Sequence, residues 1–179
     1  HARTALKARP RDPNILQFLG VVSCQLGKKD EGIAFLRQAI VHGGDTDDNR
    51  INLAKALAEL GQFDEALKAC APDGNPATSD LQRMHAEILK LQGRPSDALW
   101  VYERLVYENP DDFGSGNNLG TTKLETGELD GALEAFQKAR DLDPKSAVVH
   151  TNIAGVLMAK DRYEDACLML EKAALLNPD

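Results

Sequence analysis

Aromatic side chains are scarce in this sequence: five Phe, three Tyr and one Trp make up 5% of its 179 residues. A single-core globule leans on aromatics for buried area, whereas a stack of small helical units can build its contacts from Ala and Leu. Positive charge is also in deficit, with 21 Lys and Arg against 28 Asp and Glu and a net charge of −7. That balance excludes a general nucleic-acid binder, which needs a basic footprint to displace counterions. It disfavours an anionic membrane surface as a partner for the same reason. No run approaches the roughly 18 consecutive apolar residues of a membrane span. The three cysteines, Cys24, Cys70 and Cys167, are odd in number, far apart and without C-x-x-C spacing. Each falls inside a helical pattern, so they read as small buried hydrophobes in a reducing, cytoplasmic setting.

The signatures of chemistry are missing too. No H-E-x-x-H, G-x-S-x-G, Walker or Rossmann spacing occurs. His1, His42, His85 and His150 share no ligand spacing. Asp47, Asp48, Asp80, Asp111 and Asp112 stand at expected helix starts, where the helix dipole favours anions. The run "DTDD" at 45–48 has neither a Gly-centred loop nor a suitably placed bidentate Glu, so it reads as a cap rather than a cation site. The expectation is a chain that is not an enzyme and needs no metal or cofactor.

What is present is a repeat. Residues 51–69, "INLAKALAELGQFDEALKA", are paraphrased at 117–135, "NNLGTTKLETGELDGALEA". The small residues Gly20, Ala54, Ala86, Gly120 and Ala154 recur at spacings of 34, 32, 34 and 34. Seven residues after each stands Gly27, Gly61, Gly93, Gly127 or Asp161. Five further on comes a second small residue: Gly32, Ala66, Ala98, Ala132 or Ala166. Leu36, Cys70, Tyr102, Phe136 and Leu170 share a later offset. Within each half the apolar residues lie three and four apart, the pattern of one helix face. The Gly between the halves supplies a helix stop and a tight turn. The two small residues, on facing helices, let the backbones approach closely. Each unit is then a helix hairpin that must stack on a neighbour to bury its face.

This pattern resembles the tetratricopeptide repeat, with its period of about 34 residues. The segment "ALEAFQKARDLDP" at 132–144 is close to that family's usual second helix and exit. The resemblance implies an all-α fold, a right-handed α-solenoid of tandem helix hairpins with repeats at 13–46, 47–78, 79–112, 113–146 and 147–179. Residues 1–12 then read as the end of a preceding repeat, with a partial helix over 2–9. The opening "HARTALKARPRDP" lacks an initiating Met and starts inside a helical pattern, which predicts a piece of something longer. The second repeat is two residues short. Its exit, "ACAPDGNPATSD", places Pro72, Gly74 and Pro76 where a helix should continue, so that helix should end near Ala71, leaving either a tolerated loop or a hinge.

The resemblance also implies that the first helix of each hairpin lines a concave groove that binds extended peptides or proteins. The residues two positions before the first small residue of each repeat face it: Phe18, Asn52, Met84, Asn118 and Asn152, with Asn117 alongside. An Asn amide carries both a donor and an acceptor, so it can pair with the backbone of an extended peptide. This is similar to the asparagine ladders of some members of the family. Arg83 and Lys55 would add local positive charge. A different groove of the family clamps a chaperone's C-terminal carboxylate. The corresponding positions are Gln17, Val21, Asn52, Asp80 and Met84, of which only Asn52 agrees, so no such clamp is expected. Trp100 should lie on a second helix near the convex side. The reading is a non-catalytic scaffold for a protein or extended peptide, binding neither nucleic acid nor membrane, with apolar repeat ends through which it could self-associate. The alternative is the recognition module of a larger bacterial transferase, of sulfotransferase or glycosyltransferase type.

Overall fold

The computed structural model describes residues 9–177, and among them it holds ten α-helices and no strand. They are α1 (Pro13–Gln25), α2 (Lys29–Val41), α3 (Asp47–Glu59), α4 (Phe63–Cys70), α5 (Ser79–Leu91), α6 (Pro95–Glu108), α7 (Phe113–Glu125), α8 (Leu129–Leu142), α9 (Ala147–Ala159) and α10 (Tyr163–Leu176). The partial helix expected over residues 2–9 lies outside the described residues. The chain forms two compact units, residues 1–93 with α1 to α5 and residues 94–179 with α6 to α10. The division falls inside the third sequence repeat.

The two kinds of helix begin differently. Four of the odd-numbered helices start at a side-chain cap. Asp12 accepts from the backbone N–H of Asn14 at 3.0 Å, with Pro13 in the first helical turn. Thr46, Thr78 and Asp112 accept from Asn49, Leu81 and Gly114 respectively. Each cap satisfies an amide that the helix itself cannot. The "DTDD" segment is therefore a helix start: Thr46 caps, and Asp45 instead takes Arg50 through two bonds of 2.6 and 2.7 Å. The even-numbered helices have no side-chain cap and are entered through a turn. Gly27, Gly61, Gly93 and Gly127 hold φ between 73° and 83° there, and Asp161 adopts φ 57° at the fifth such turn. In the first hairpin the N–H of Lys28 closes back on Ser23 O at 2.9 Å, which satisfies one of the last carbonyls of α1.

In the first unit α1 pairs with α2 and α3 with α4, α2 packs on α3, and α5 covers α3 and α4. Its core gathers Leu36, Leu53, Leu57, Ala66, Cys70, Leu81 and Ile88. The close approach of the paired helices is visible at Gly20 and Gly32. A Cβ on Gly32 would lie 2.8 Å from Gly20 O, and one on Gly20 would lie 2.7 Å from Leu36 Cγ. In the second unit α7 pairs with α8 and α9 with α10, while α6 packs on α7 and α8 on α9. Phe136, Val149, Ile153 and Leu157 dominate that core. Burying a side chain such as Phe136 contributes about 1.5–3 kcal/mol.

Leu36, Cys70, Tyr102 and Phe136 are at most 1% exposed, whereas Leu170 at the same offset is 40% exposed. That position faces the next hairpin, and none follows α10 among the described residues. The irregular exit of the second repeat also has a physical cause. Helix α4 stops at Cys70 after eight residues, and Ala71 leaves helical geometry just before Pro72. Arg50 reaches over to donate to the carbonyl of Ala69 at 3.2 Å, and Thr78 donates to Asp47 at 2.6 Å, tying both ends of the loop to α3.

Candidate functional site

The odd-numbered helices adjoin one another within each unit and present their remaining faces outward: α1, α3 and α5 in the first, α7 and α9 in the second. These helices carry every residue that the sequence pattern nominates for binding.

On the first unit two shallow hollows flank α3. One, of about 180 Å³, lies between α1 and α3. Leu36 and Ala56 form its floor, Val21 and Cys24 stand at its side, and Asn52, Gln25, Lys55 and Glu59 edge it. The other, of about 200 Å³, lies between α3 and α5 and is bounded by Ile51, Met84, Lys55, Asp80, Arg83 and Glu87. Lys55 borders both. Asn52 is half-buried and Lys55 exposed. Met84 is only 6% exposed, because most of its side chain packs into the core with Leu81 and Ile88 and only a remnant reaches the hollow. Arg83 is held by Asp80 one helical turn back. Glu59 is held by Lys29 at 2.8 Å. Burial, with Glu59 close by, pushes the Cys24 thiol up, Lys29 partly opposing it.

On the second unit the face is made of short uncharged side chains. Asn152 on α9 donates to Asn117 Oδ1 on α7 at 2.8 Å. Asn118, one residue on, turns its amide toward the buried hydroxyl of Tyr102, 3.5 Å away. All three asparagines are half-buried. The amides that meet across this seam are thus Asn117 and Asn152, one residue out of the register the sequence repeat suggests. Thr121 hydrogen-bonds back to its own helix at Asn117 O, and Thr151 does so at Ala147 O. At Gly155 an added Cβ would meet nothing within 4 Å, so the space over that turn of α9 is open.

Elsewhere the polar groups serve the fold. His150 is 5% exposed and its Nδ1 donates to the Ser146 carbonyl at 2.9 Å. Among the described residues no three His, Cys, Asp or Glu side chains are grouped to hold a metal ion. None of the described helices is long and apolar enough to cross a membrane. Trp100 on α6 is 62% exposed, with the Arg104 guanidinium stacked 5.0 Å from its ring centre.

Three family models, each described as tetratricopeptide repeat, match residues 50–70, 83–147 and 123–179. The human Protein O-mannosyl-transferase TMTC1 is 28% identical over 175 residues, which cover 92% of this chain and 19% of that protein. The chain spans a fifth or less of the length of the curated relatives it matches. Among solved structures, TTC0263, a thermophilic TPR protein of Thermus thermophilus, superposes with a TM-score of 0.75 at 19% identity, over 93% of this chain and 92% of its own. YrrB, described as a TPR protein with an unusual peptide-binding site, superposes with a TM-score of 0.64 at 22% identity, over 99% of this chain and 93% of its own. Both likenesses are likenesses of fold.

Proposed function

This chain belongs to the tetratricopeptide repeat family, and we propose that it is a non-catalytic module that binds an extended protein segment on the outward faces of its odd-numbered helices. The observation that carries this reading is the Asn117–Asn152 pair. Because Asn152 donates to Asn117 Oδ1, the amide hydrogens of Asn117 and the side-chain carbonyl of Asn152 remain to serve a ligand. Together they offer one donor and one acceptor, the complement of a peptide unit. The short side chains around them leave room for a backbone to come close. YrrB's described peptide-binding site is a precedent within the same fold.

The test begins with recovery of a ligand, using this chain as bait. Against that ligand, Asn117→Ala/Asn152→Ala should weaken binding roughly tenfold to a hundredfold, at about 0.5–1.5 kcal/mol per amide lost. Trp100→Ala, on another helix face, should leave it unchanged. The opposite pattern would move the site to α6.

A second reading is favoured by one observation: the match to TMTC1 covers nearly all of this chain but 19% of that protein. The chain would then be the recognition module of a larger transferase, of glycosyltransferase or sulfotransferase type. The open reading frame on either side of this segment decides it, since a frame encoding repeats alone would exclude a transferase.

A further inference from the structure

We infer that the first unit selects extended segments carrying an aliphatic side chain two or three residues from an internal Asp or Glu. The aliphatic group would enter the hollow between α1 and α3, and the carboxylate would pair with Lys55. This inference rests on the proposed peptide-binding role and names the chemistry that one unit of it would choose.

Three observations converge on that choice. The first is the state of Lys55. It is exposed, and among the described residues it has no carboxylate partner. Its neighbours explain why. Glu59, one helical turn along α3, is taken by Lys29, and Asp80 across the second hollow is taken by Arg83. The remaining acid there, Glu87, lies on the far side of the second hollow on α5. A solvated ammonium at the shared edge of two hollows is thus available to an incoming anion.

The second observation is the shape and lining of the first hollow. Its floor is Leu36 and Ala56, and its side is formed by Val21 and Cys24. Polar groups occupy its edge. That arrangement suits a single branched aliphatic side chain, with Asn52 at the rim to meet the adjoining peptide unit. Neighbouring packed helices lie roughly 8–10 Å apart. Lys55 stands at the rim of the same hollow, and an extended chain advances about 3.3 Å per residue, so a carboxylate two or three residues on lies roughly 7–10 Å away, within the sweep of the long lysine side chain.

The third observation is the distribution of charge. Residues 1–93 carry twelve Lys and Arg against twelve Asp and Glu, while residues 94–179 carry nine against sixteen. The whole net charge of −7 therefore lies in the second unit. An acidic ligand therefore meets less repulsion from the first unit than from the second. The second hollow lies beyond Lys55, between α3 and α5, so a segment seated in the first hollow can run on past the ammonium. This is why the carboxylate is assigned to an internal side chain.

The experiment is a selection of random twelve-residue peptides displayed on phage, with the whole chain as target, followed by affinity measurement on synthetic peptides. The expected result is enrichment of an aliphatic residue two or three positions from Asp or Glu. Replacing that acid by its amide should weaken binding tenfold or more, and amidating the peptide's C-terminus should not. Lys55→Glu should abolish binding of the acidic peptide and restore binding of the peptide whose acid is replaced by Lys. Val21→Glu should weaken both peptides. Circular dichroism on each variant should be unchanged, since both positions are partly or fully exposed. Peptides that bind through Asn52 or Asn117 and Asn152 but ignore Lys55→Glu would overturn the inference while sparing the proposed role. Loss of binding on C-terminal amidation would overturn it in favour of a terminal carboxylate. Failure to enrich any peptide, or enrichment of peptides indifferent to all these variants, would count against both.

Discussion

The side-chain amide of Asn152 meets Asn117 Oδ1 at 2.8 Å across the seam between α7 and α9, joining positions 35 residues apart in a chain whose repeat is 34. The extra residue has a geometric reason. Equivalent positions on neighbouring repeats stand one helix spacing apart, roughly 8–10 Å. Two short amides cannot close that distance. Asn117 is rotated about 100° round its helix from Asn118, and that rotation carries it to the seam.

The amide pair should be measurable apart from any ligand. Asn117→Ala and Asn152→Ala, taken singly and together through thermal melts, should show a coupling of about 0.5–1.5 kcal/mol. Asn118→Ala combined with Asn152→Ala should be additive, since those two side chains do not meet. A coupling confined to the second pair would overturn the assignment.

Ala132 is fully buried where α8 approaches α7. Ala132→Leu should overpack that contact and destabilise the chain by about 1–3 kcal/mol. Glu134→Leu, two residues on at an exposed position, should leave the melting temperature essentially unchanged. An unchanged melt for the first substitution would show that α8 is not seated as described.

Asp161 holds a left-handed φ at a turn where four other repeats use Gly. Its side chain accepts from the Tyr163 hydroxyl at 2.7 Å, which offsets part of the strain. Asp161→Gly should raise stability by about 0.5–1 kcal/mol, and Gly127→Ala should lower it by about 1 kcal/mol or more. Chemical denaturation monitored by circular dichroism reads both, and a loss of stability in Asp161→Gly would assign the turn to its hydrogen bond instead.

The three thiols should react in order of burial. Cys167 is exposed, Cys24 is half-buried, and burial pushes Cys70 up to about 12. At pH 8 an alkylating reagent should modify Cys167 first and leave Cys70 protected until the chain unfolds. The same shift fixes a pH dependence. The folded-state pKa of Cys70 lies above its ordinary value of 9.0, so the neutral thiol stabilises the fold fully below pH 9. That stabilisation is lost as pH rises toward 12. Peptide mapping after timed labelling checks the order, and equal labelling of Cys70 and Cys167 would contradict it.

Trp100 should report a solvent-exposed indole. Its fluorescence should be red-shifted and readily quenched by acrylamide, and Trp100→Ala should cost less than about 1 kcal/mol. A blue-shifted, protected emission would mean that some other surface covers α6 in solution.

The sequence by itself determined the hairpins. Helix periodicity, a turn-forming Gly or Asp161 between two helical faces, and paired small residues are local or short-range signals, and each acts within some 30 residues of chain. Gly20 and Gly32 could be read as facing one another because both helices of a hairpin are tied by one short turn. Pro72 likewise sets the end of α4 through backbone sterics alone. The candidate site was only half legible. The sequence nominated Asn52, Met84, Asn117, Asn118, Asn152, Arg83 and Lys55 as one set, but their partners depend on how one hairpin is rotated against the next. Tertiary packing turned Asn118 toward Tyr102, gave Asn152 to Asn117, and sank Met84 into the core. It also engaged Arg83 and left Lys55 open, because Lys29 and Arg83 had already taken the nearest acids. A repeat period fixes which positions are equivalent. Only the rotation and spacing of packed helices decide which of them touch.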